Sequence, residues 1–217
     1  MPKATKSINS FASIFQKARR HLSRRDPLLA QLIKRVGPCT LEPGAEAFSA
    51  LVRAIIAQMI STKAAKAIQL RVENALLPKG ITPTGVAAAS EETLRSAGLS
   101  RAKALALKDL AERALSGALP LARLGDMSDE EVIECLVPIR GIGRWTAEMF
   151  LIFSLGRLDV LPVDDFGLRA GVQALYELPQ LPGRADLRER GEIWRPYRSI
   201  ATWYFWRGRG WVPQSKE

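Results

Sequence analysis

Between Phe48 and Ile60 the apolar residues Phe48, Leu51, Val52, Ile55, Ile56, Met59 and Ile60 recur three and four positions apart, the spacing that lines one face of an α-helix. The same period returns after Ser61-Thr62, where a helix to about Leu77 would turn Ala64, Ala67, Ile68, Val72 and Ala75 inward. The punctuation agrees with the period. Asp26-Pro27 supplies an N-cap and a first-turn proline for a helix that Gly37-Pro38 closes after Val36. Ser90-Glu91-Glu92 opens another helix, which breaks at Gly98 before Ser100 starts a run to about Leu115. Ser128 and Glu131 form a capping-box pair ahead of Val132, Ile133, Leu136 and Val137. Pro78, Gly80, Pro83 and Gly85 read as loop, and residues 1–25 as a basic lead-in. Nowhere do β-branched residues alternate between turn signals, so the pattern predicts an all-α chain whose short connections pack neighbouring helices antiparallel or crossed.

Charge narrows the partner. The 217 residues hold 32 Lys and Arg against 22 Asp and Glu, a formal +10, which favours a polyanion: nucleic acid or an anionic membrane surface. No apolar run reaches the roughly 18 to 20 residues that span a bilayer. Even Val132 to Leu155 is interrupted by Arg140, Gly141, Gly143, Arg144 and Glu148. The N-terminus is polar and basic without an apolar signal core, so nothing directs export. Cys39, Cys135 and the single His21 make neither a disulfide framework nor a metal cluster, and a reduced intracellular compartment fits them.

Three stretches carry candidate chemistry. In Leu136-Val137-Pro138-Ile139-Arg140-Gly141-Ile142-Gly143-Arg144-Trp145-Thr146-Ala147 a capped helix ends at a proline, a Gly-X-Gly turn follows, and a second helix runs from about Arg144 to Ser154. Two glycines leave no side chain over the turn, so backbone N–H groups and the next helix's N-terminus can approach a phosphate, with Arg140 and Arg144 adding charge. Close helix packing alone would also account for such glycines. Eighteen residues past Gly143, Leu161-Pro162-Val163-Asp164-Asp165-Phe166-Gly167 sets two acids at the mouth of a helix running to about Tyr176. Acids there are commonly caps, but beside a phosphate-binding turn they oppose binding and so invite a chemical role. The C-terminal part holds four of the five tryptophans, Trp194, Trp203, Trp206 and Trp211, more indoles than one helix face ordinarily buries. Aromatic faces attract cations and stack on bases.

Together these segments resemble the helix-hairpin-helix DNA glycosylase superfamily, in particular its alkylated-purine branch, DNA-3-methyladenine glycosylase II, over about Asp26 to Trp211. Ala57-Gln58-Met59-Ile60-Ser61 resembles the segment whose apolar side chain wedges into the duplex, with Met59 as the wedge and Gln58 beside it in the minor groove. Gly98 to Lys103 resembles the second, non-catalytic hairpin-like turn, and Ile139 to Ala147 the principal hairpin. Trp194 to Ser199 resembles the helix leading to the base-stacking tryptophan, here Trp206. The four-Cys iron–sulfur loop of the endonuclease III branch is missing, and Trp145 stands where bifunctional members carry a Schiff-base Lys.

The resemblance implies two helical lobes with the hairpin at a cleft between them and no N-terminal sheet domain: a central lobe over 47–127, and a terminal lobe over 26–46 and 128–217. It implies a monofunctional enzyme that flips an alkylated purine such as 3-methyladenine or 7-methylguanine from the duplex and hydrolyses its N-glycosidic bond. Asp165 would stabilise the oxocarbenium-like sugar, with Asp164 as the cap; the Pro-Val-Asp run nominates Asp164 instead, as in the oxidised-base branch. Trp145, Trp206 and Phe48 would form the base pocket, and Gln58, Met59, Ser61, Arg140, Gly141, Gly143, Arg144 and Thr146 the DNA contacts. No catalytic metal or cofactor is implied, only a structural monovalent cation on the hairpin backbone. The expected protein is a monomer on double-stranded DNA, in the bacterial cytoplasm (nucleoid) or the eukaryotic nucleus. A glycosylase for deaminated or oxidised bases, and a non-catalytic helix-hairpin-helix module that grips DNA, are the competing readings; the acids and the Trp-rich end argue against the latter.

Overall fold

The computed structural model describes residues 4–44 and 46–208, so Trp211 lies outside the described residues. In chain order the helices are α1 (Ala4–Arg25), α2 (Pro27–Val36), α3 (Ala47–Ala57), α4 (Thr62–Ala75), α5 (Pro83–Ala88), α6 (Glu91–Ser96), α7 (Arg101–Ser116), α8 (Asp129–Leu136), α9 (Arg144–Phe153), α10 (Phe166–Leu175), α11 (Arg184–Gly191) and α12 (Arg198–Arg207). The described residues contain no strand. None of their helices is long and apolar enough to cross a membrane.

The sequence signals for these helices are realised as hydrogen bonds. Asp26, Ser61, Ser90 and Ser100 each accept a first-turn amide of the helix they precede, and Ser128 with Glu131 closes a complete capping box on α8, each cap stabilising its helix by about 1 kcal/mol. Two segments read from sequence as irregular are helical instead. Residues 4–25 form α1 because Phe15, Ala18 and Leu22, spaced three and four apart, fall on one buried stripe. Pro83 opens α5, with Thr82 as its cap. In α4 the inward set shrinks. Val72 is fully buried, whereas Ala67 and Ala75 are exposed, because a helix packed along a narrow stripe leaves its flanking alanines in water.

Two compact units emerge, Met1–Glu42 with Arg157–Glu217, and Pro43–Gly156. In the first, α1, α2, α10 and α12 pack around Leu22, Leu29, Val172, Trp194, Tyr204 and Phe205, all essentially inaccessible. A Cβ at Gly171 would meet Phe205 Cβ at 3.0 Å and its carbonyl oxygen at 3.1 Å, so α10 and α12 touch backbone to backbone there. Asp26 sits inside this core, 2 % exposed. Its Oδ1 accepts the Leu29 amide at 2.9 Å, and its Oδ2 accepts Trp194 Nε1–H at 2.8 Å and the Tyr176 hydroxyl. One carboxylate thereby ties α2, α10 and the turn before α12 together.

The second unit buries α3 through Leu51, Val52, Ile55 and Ile56, with α4, α7 and α9 around it and α8 packed on α9. Its C-terminal edge, at Gly156, lies beyond the expected division at 128, which placed α8, the hairpin and α9 in the terminal lobe. Helix α9 packs on α3 and α8, and the amide of Gly44 donates to Ser154 O at 3.1 Å. These contacts keep the whole hairpin in the Pro43–Gly156 unit.

Candidate active site

The first unit supplies a carboxylate with two converging donors. Pro162 and Val163 are buried, and the Asp165 amide donates to Pro162 O at 2.9 Å, closing a turn over 162–165 that sets Asp165 as the N-cap of α10. Asp165 is 8 % exposed; its Oδ1 accepts the Leu168 amide at 2.6 Å and Trp206 Nε1–H at 2.8 Å. Two convergent donors of this kind hold the carboxylate in one orientation. Gly167 makes the arrangement possible: a Cβ there would meet Asp165 Oδ1 and Trp206 Cδ1, each at 3.1 Å. The indole of Trp206 therefore lies against the first turn of α10, half-buried, with its N–H committed to the acid.

The two aspartates separate in role, though not as the sequence reading divided them. Asp164 is exposed and pairs with Arg184 of α11, so it does not cap α10. Capping and the buried position both fall to Asp165, because the extended backbone at φ −72°, ψ 116° is the residue at which the helix begins.

The second unit carries the elements that the sequence reading expects to face a duplex. Helix α3 ends at Ala57, and Met59 follows with φ 59° and 99 % of its surface exposed. A left-handed conformation costs a non-glycine residue about 1 kcal/mol or more, so neighbouring contacts must impose it. They are present on both sides. The Lys103 ammonium donates to Ile56 O at 2.7 Å and Gln58 O at 2.8 Å, and Gln58 Nε2 donates to Gly141 O at 2.9 Å. Burial draws the Lys103 ammonium below the ordinary lysine value. Met59 is thus held out into solvent from a segment fastened to α7 and to the hairpin. Ser61 is exposed, but its hydroxyl already accepts the Ala64 amide as the cap of α4.

The hairpin is fixed from beneath. Ile139 and Ile142 are buried, Gly141 takes φ 77°, and the Arg140 amide donates to Asp109 Oδ2 at 2.7 Å while Arg113 holds the other Asp109 oxygen at 2.9 Å. Gly143 gives α9 no side-chain cap, so a phosphate oxygen approaching this helix N-terminus would meet backbone rather than a capping side chain. Arg140 is exposed over this turn. Arg144 is not a free cation: it binds both Glu130 oxygens, at 3.0 and 2.5 Å, and lies 3.3 Å from Glu148. Its hydrogen bonds hold Glu130 below the ordinary carboxylate value. Thr146 is buried, so only its backbone is placed for a contact. The oxygens of the hairpin turn are neutral carbonyls, the donor type a monovalent cation takes, and no group of His, Cys, Asp or Glu among the described residues could hold a metal ion.

Of the expected base pocket, Trp145 is 43 % exposed in the first turn of α9, whereas Phe48 is 1 % exposed and belongs to the core beneath α3. Phe48 offers no ring face, because it lies on the apolar stripe that Leu51, Val52 and Ile55 continue inward. Trp194 and Trp203 are likewise core residues, so half of the Trp-rich end is packing. Sequence reading missed Lys103 as a clamp, Asp109 as the hairpin's anchor and Gly167 as the seat of the indole. Lys103 alone had a visible cue, its place in the second hairpin-like turn.

A family model described as "HhH-GPD superfamily base excision DNA repair protein" matches residues 52–196. The chain is 39% identical over 199 residues to a Schizosaccharomyces pombe protein named DNA-3-methyladenine glycosylase 1, covering 88% of this chain and 86% of that one. It superposes with a TM-score of 0.78, at 38% identity and over 88% and 95% of the two chains, on an S. pombe 3-methyladenine DNA glycosylase in complex with abasic DNA. A Bacillus halodurans DNA-3-methyladenine glycosidase gives 0.79 at 38% identity, over 89% of each chain.

Proposed function

The chain belongs to the HhH-GPD superfamily of base excision DNA repair proteins, and from that membership we propose a monofunctional DNA glycosylase that removes alkylated purines such as 3-methyladenine and 7-methylguanine. The observation that carries the reading is the buried Asp165 carboxylate, fixed by the Leu168 amide and the Trp206 indole, in a chain with Trp145 where a Schiff-base lysine would be needed.

A purine methylated at N3 or N7 is cationic and leaves with the electrons of its C1′–N bond as a neutral base, so little acid catalysis is required. The sugar is left with oxocarbenium character, which a carboxylate stabilises. Asp165 supplies that charge, and water adds at C1′ with the carboxylate as base. Reaching the bond requires rotating the nucleotide out of the stack. Met59, fully exposed, is the side chain to fill the gap, while the hairpin amides and Arg140 hold the backbone without reading sequence. The exposed indole of Trp145 and the half-buried indole of Trp206 each offer an aromatic face of the kind that attracts a cationic purine. The enzyme acts as a monomer on double-stranded DNA.

The test incubates the protein with methylated duplex DNA and identifies the released bases by mass spectrometry, with borohydride trapping in parallel. Expected are free 3-methyladenine and 7-methylguanine, an abasic strand that stays intact until heat or base is applied, and no trapped adduct. Release of only deaminated or oxidised bases would move the substrate, a trapped adduct would point to Lys63, Lys66 or Lys103 as nucleophile, and binding without any release would leave a DNA-gripping module.

A further inference from the structure

The net charge is distributed very unevenly. Pro43–Gly156, the unit with the hairpin and Met59, holds thirteen Lys and Arg against twelve Asp and Glu and is close to neutral. Residues 1–42 hold nine Lys and Arg against two acids, and so carry seven of the chain's ten net positive charges. Most of the charge that attracts a polyanion is therefore carried by the unit that lacks the hairpin.

The structure shows how that charge is displayed. On α1 the buried stripe is Phe15, Ala18 and Leu22, and the exposed residues Lys17, Arg20 and Arg24 follow the same spacing two positions on. At 3.6 residues per turn an offset of two positions is about 200°, so the basic row runs down the face opposite the core. Arg25, Lys34 and Arg35 continue the exposed cations to the ends of α1 and α2. The single acid of α1, α2 and their junction is Asp26, and it is 2 % exposed and committed to Leu29, Trp194 and Tyr176. It screens nothing. Among the described residues Lys17, Arg20 and Arg24 make no ion pair, and Arg24 Nε donates to Arg20 O at 3.2 Å.

Basic residues in a helix's last turn are commonly explained by its dipole, and Arg24, Arg25, Lys34 and Arg35 fit that account. Lys17 and Arg20 lie beyond the reach of that effect, which fades within the last turn. A membrane surface is disfavoured because an interfacial helix needs an apolar face to insert, and that of α1 is already buried. A nucleic-acid backbone fits. From Lys17 to Arg24 is about 10 Å of helix, which spans about three phosphates of one strand at 3.4 Å each.

We infer that the exposed face of α1, through Lys17, Arg20 and Arg24, is a second DNA-backbone docking surface, separate from the hairpin, that supplies sequence-independent affinity. This rests on the glycosylase reading only in taking DNA as the polyanion. Non-specific binding draws nearly all of its energy from released counterions; a near-neutral hairpin unit is poorly equipped for that, and α1 provides it.

The test compares the full-length protein, the triple variant Lys17→Gln, Arg20→Gln, Arg24→Gln, and a control with the same loss of charge at exposed sites of the other unit, Lys79→Gln, Arg95→Gln, Arg123→Gln. Glutamine is close to Lys and Arg in helix propensity, and circular dichroism verifies the fold. Affinity for undamaged 30-base-pair duplex is measured from 50 to 200 mM salt, and base release is measured separately in single turnover at saturating enzyme. Expected is a log–log salt slope shallower by two to three in the α1 variant, so that the unaltered protein loses about 40-fold more affinity than the variant across that range. Base release at saturation stays within twofold, and the control changes the slope by less than one. An unchanged slope, a control that matches the α1 variant, or an unchanged DNA affinity with lost binding to anionic vesicles each overturns the inference. Absence of base release from the unaltered protein would defeat the glycosylase reading while leaving the salt result to be judged on its own.

Discussion

Trp206 Nε1–H donates to Asp165 Oδ1 at 2.8 Å, and Gly167 is the residue that gives the indole room to do so. The ring therefore does more than present a face: its N–H fixes the acid's orientation from outside α10. Replacing Trp206 with Phe keeps an aromatic face and deletes the donor. Hydrogen bonds to charged groups contribute about 1.5–3 kcal/mol, so single-turnover base release should fall about 10- to 100-fold with duplex affinity within about threefold. Gly167→Ala should reproduce the loss by pushing the indole from the acid. Full activity in both variants would show that the contact is idle.

The neighbouring aspartates make the sharper comparison. Asp165→Asn should lower base release by at least ~100-fold, with DNA binding equal or tighter because a negative charge near the phosphates is gone. Asparagine still caps, so α10 persists and the loss is chemical. Asp164→Asn removes only an exposed pair with Arg184, which contributes about 1 kcal/mol or less to stability, and should leave activity intact. If Asp164→Asn were the inactive variant, the catalytic assignment would move by one residue.

Helix positions were legible because caps are local: Asp26, Ser61, Ser90, Ser100 and the Ser128–Glu131 box lie within three residues of the amides they bind. The hairpin and the buried aspartate were legible for the same reason, since Gly-X-Gly and Pro-Val-Asp-Asp are short-range patterns. What escaped is long-range. Lys103 reaches carbonyls 45 and 47 positions away, Asp109 binds an amide 31 positions away, and Trp206 meets Asp165 across 41. No sequence period encodes such pairings. Residues 4–25 escaped because their dense charge hid a narrow stripe of Phe15, Ala18 and Leu22.

Lys103 tests whether the Met59 segment must be pre-formed. Lys103→Met keeps much of the aliphatic stem and deletes two bonds to backbone carbonyls, at an expected cost of about 2 kcal/mol in stability. With the left-handed turn at Met59 no longer imposed, nucleotide flipping should weaken. A 2-aminopurine reporter opposite an abasic analogue should lose most of its fluorescence rise, while affinity for undamaged duplex changes less than about fourfold. Met59→Ala should lose the same signal with no stability change, since that side chain is 99 % exposed. A normal signal in Lys103→Met would mean the segment holds its shape without the clamp.

Cys39 gives the fold a pH signature. Burial pushes its thiol from 9.0 up to about 11, against opposing help from the Leu41 amide and the charges of Arg207 and Arg19. A folded-state value raised above the unfolded one means that the neutral form is preferred in the fold. The associated stability is fully present below about pH 9 and is lost as the pH climbs through about 11. The thiolate is the reacting species, and at pH 8 its population at Cys39 is about 100-fold below that of an ordinary thiol. In a Cys135→Ser variant, iodoacetamide should therefore modify Cys39 about 100-fold more slowly in the folded protein than in urea, followed by mass spectrometry. Urea titrations of the same variant at pH 8 and pH 10.5 should show lower stability at the higher value, with part of that decline removed by Cys39→Ala. Equal labelling rates in the folded and unfolded states would mean that the thiol is not held neutral by the core.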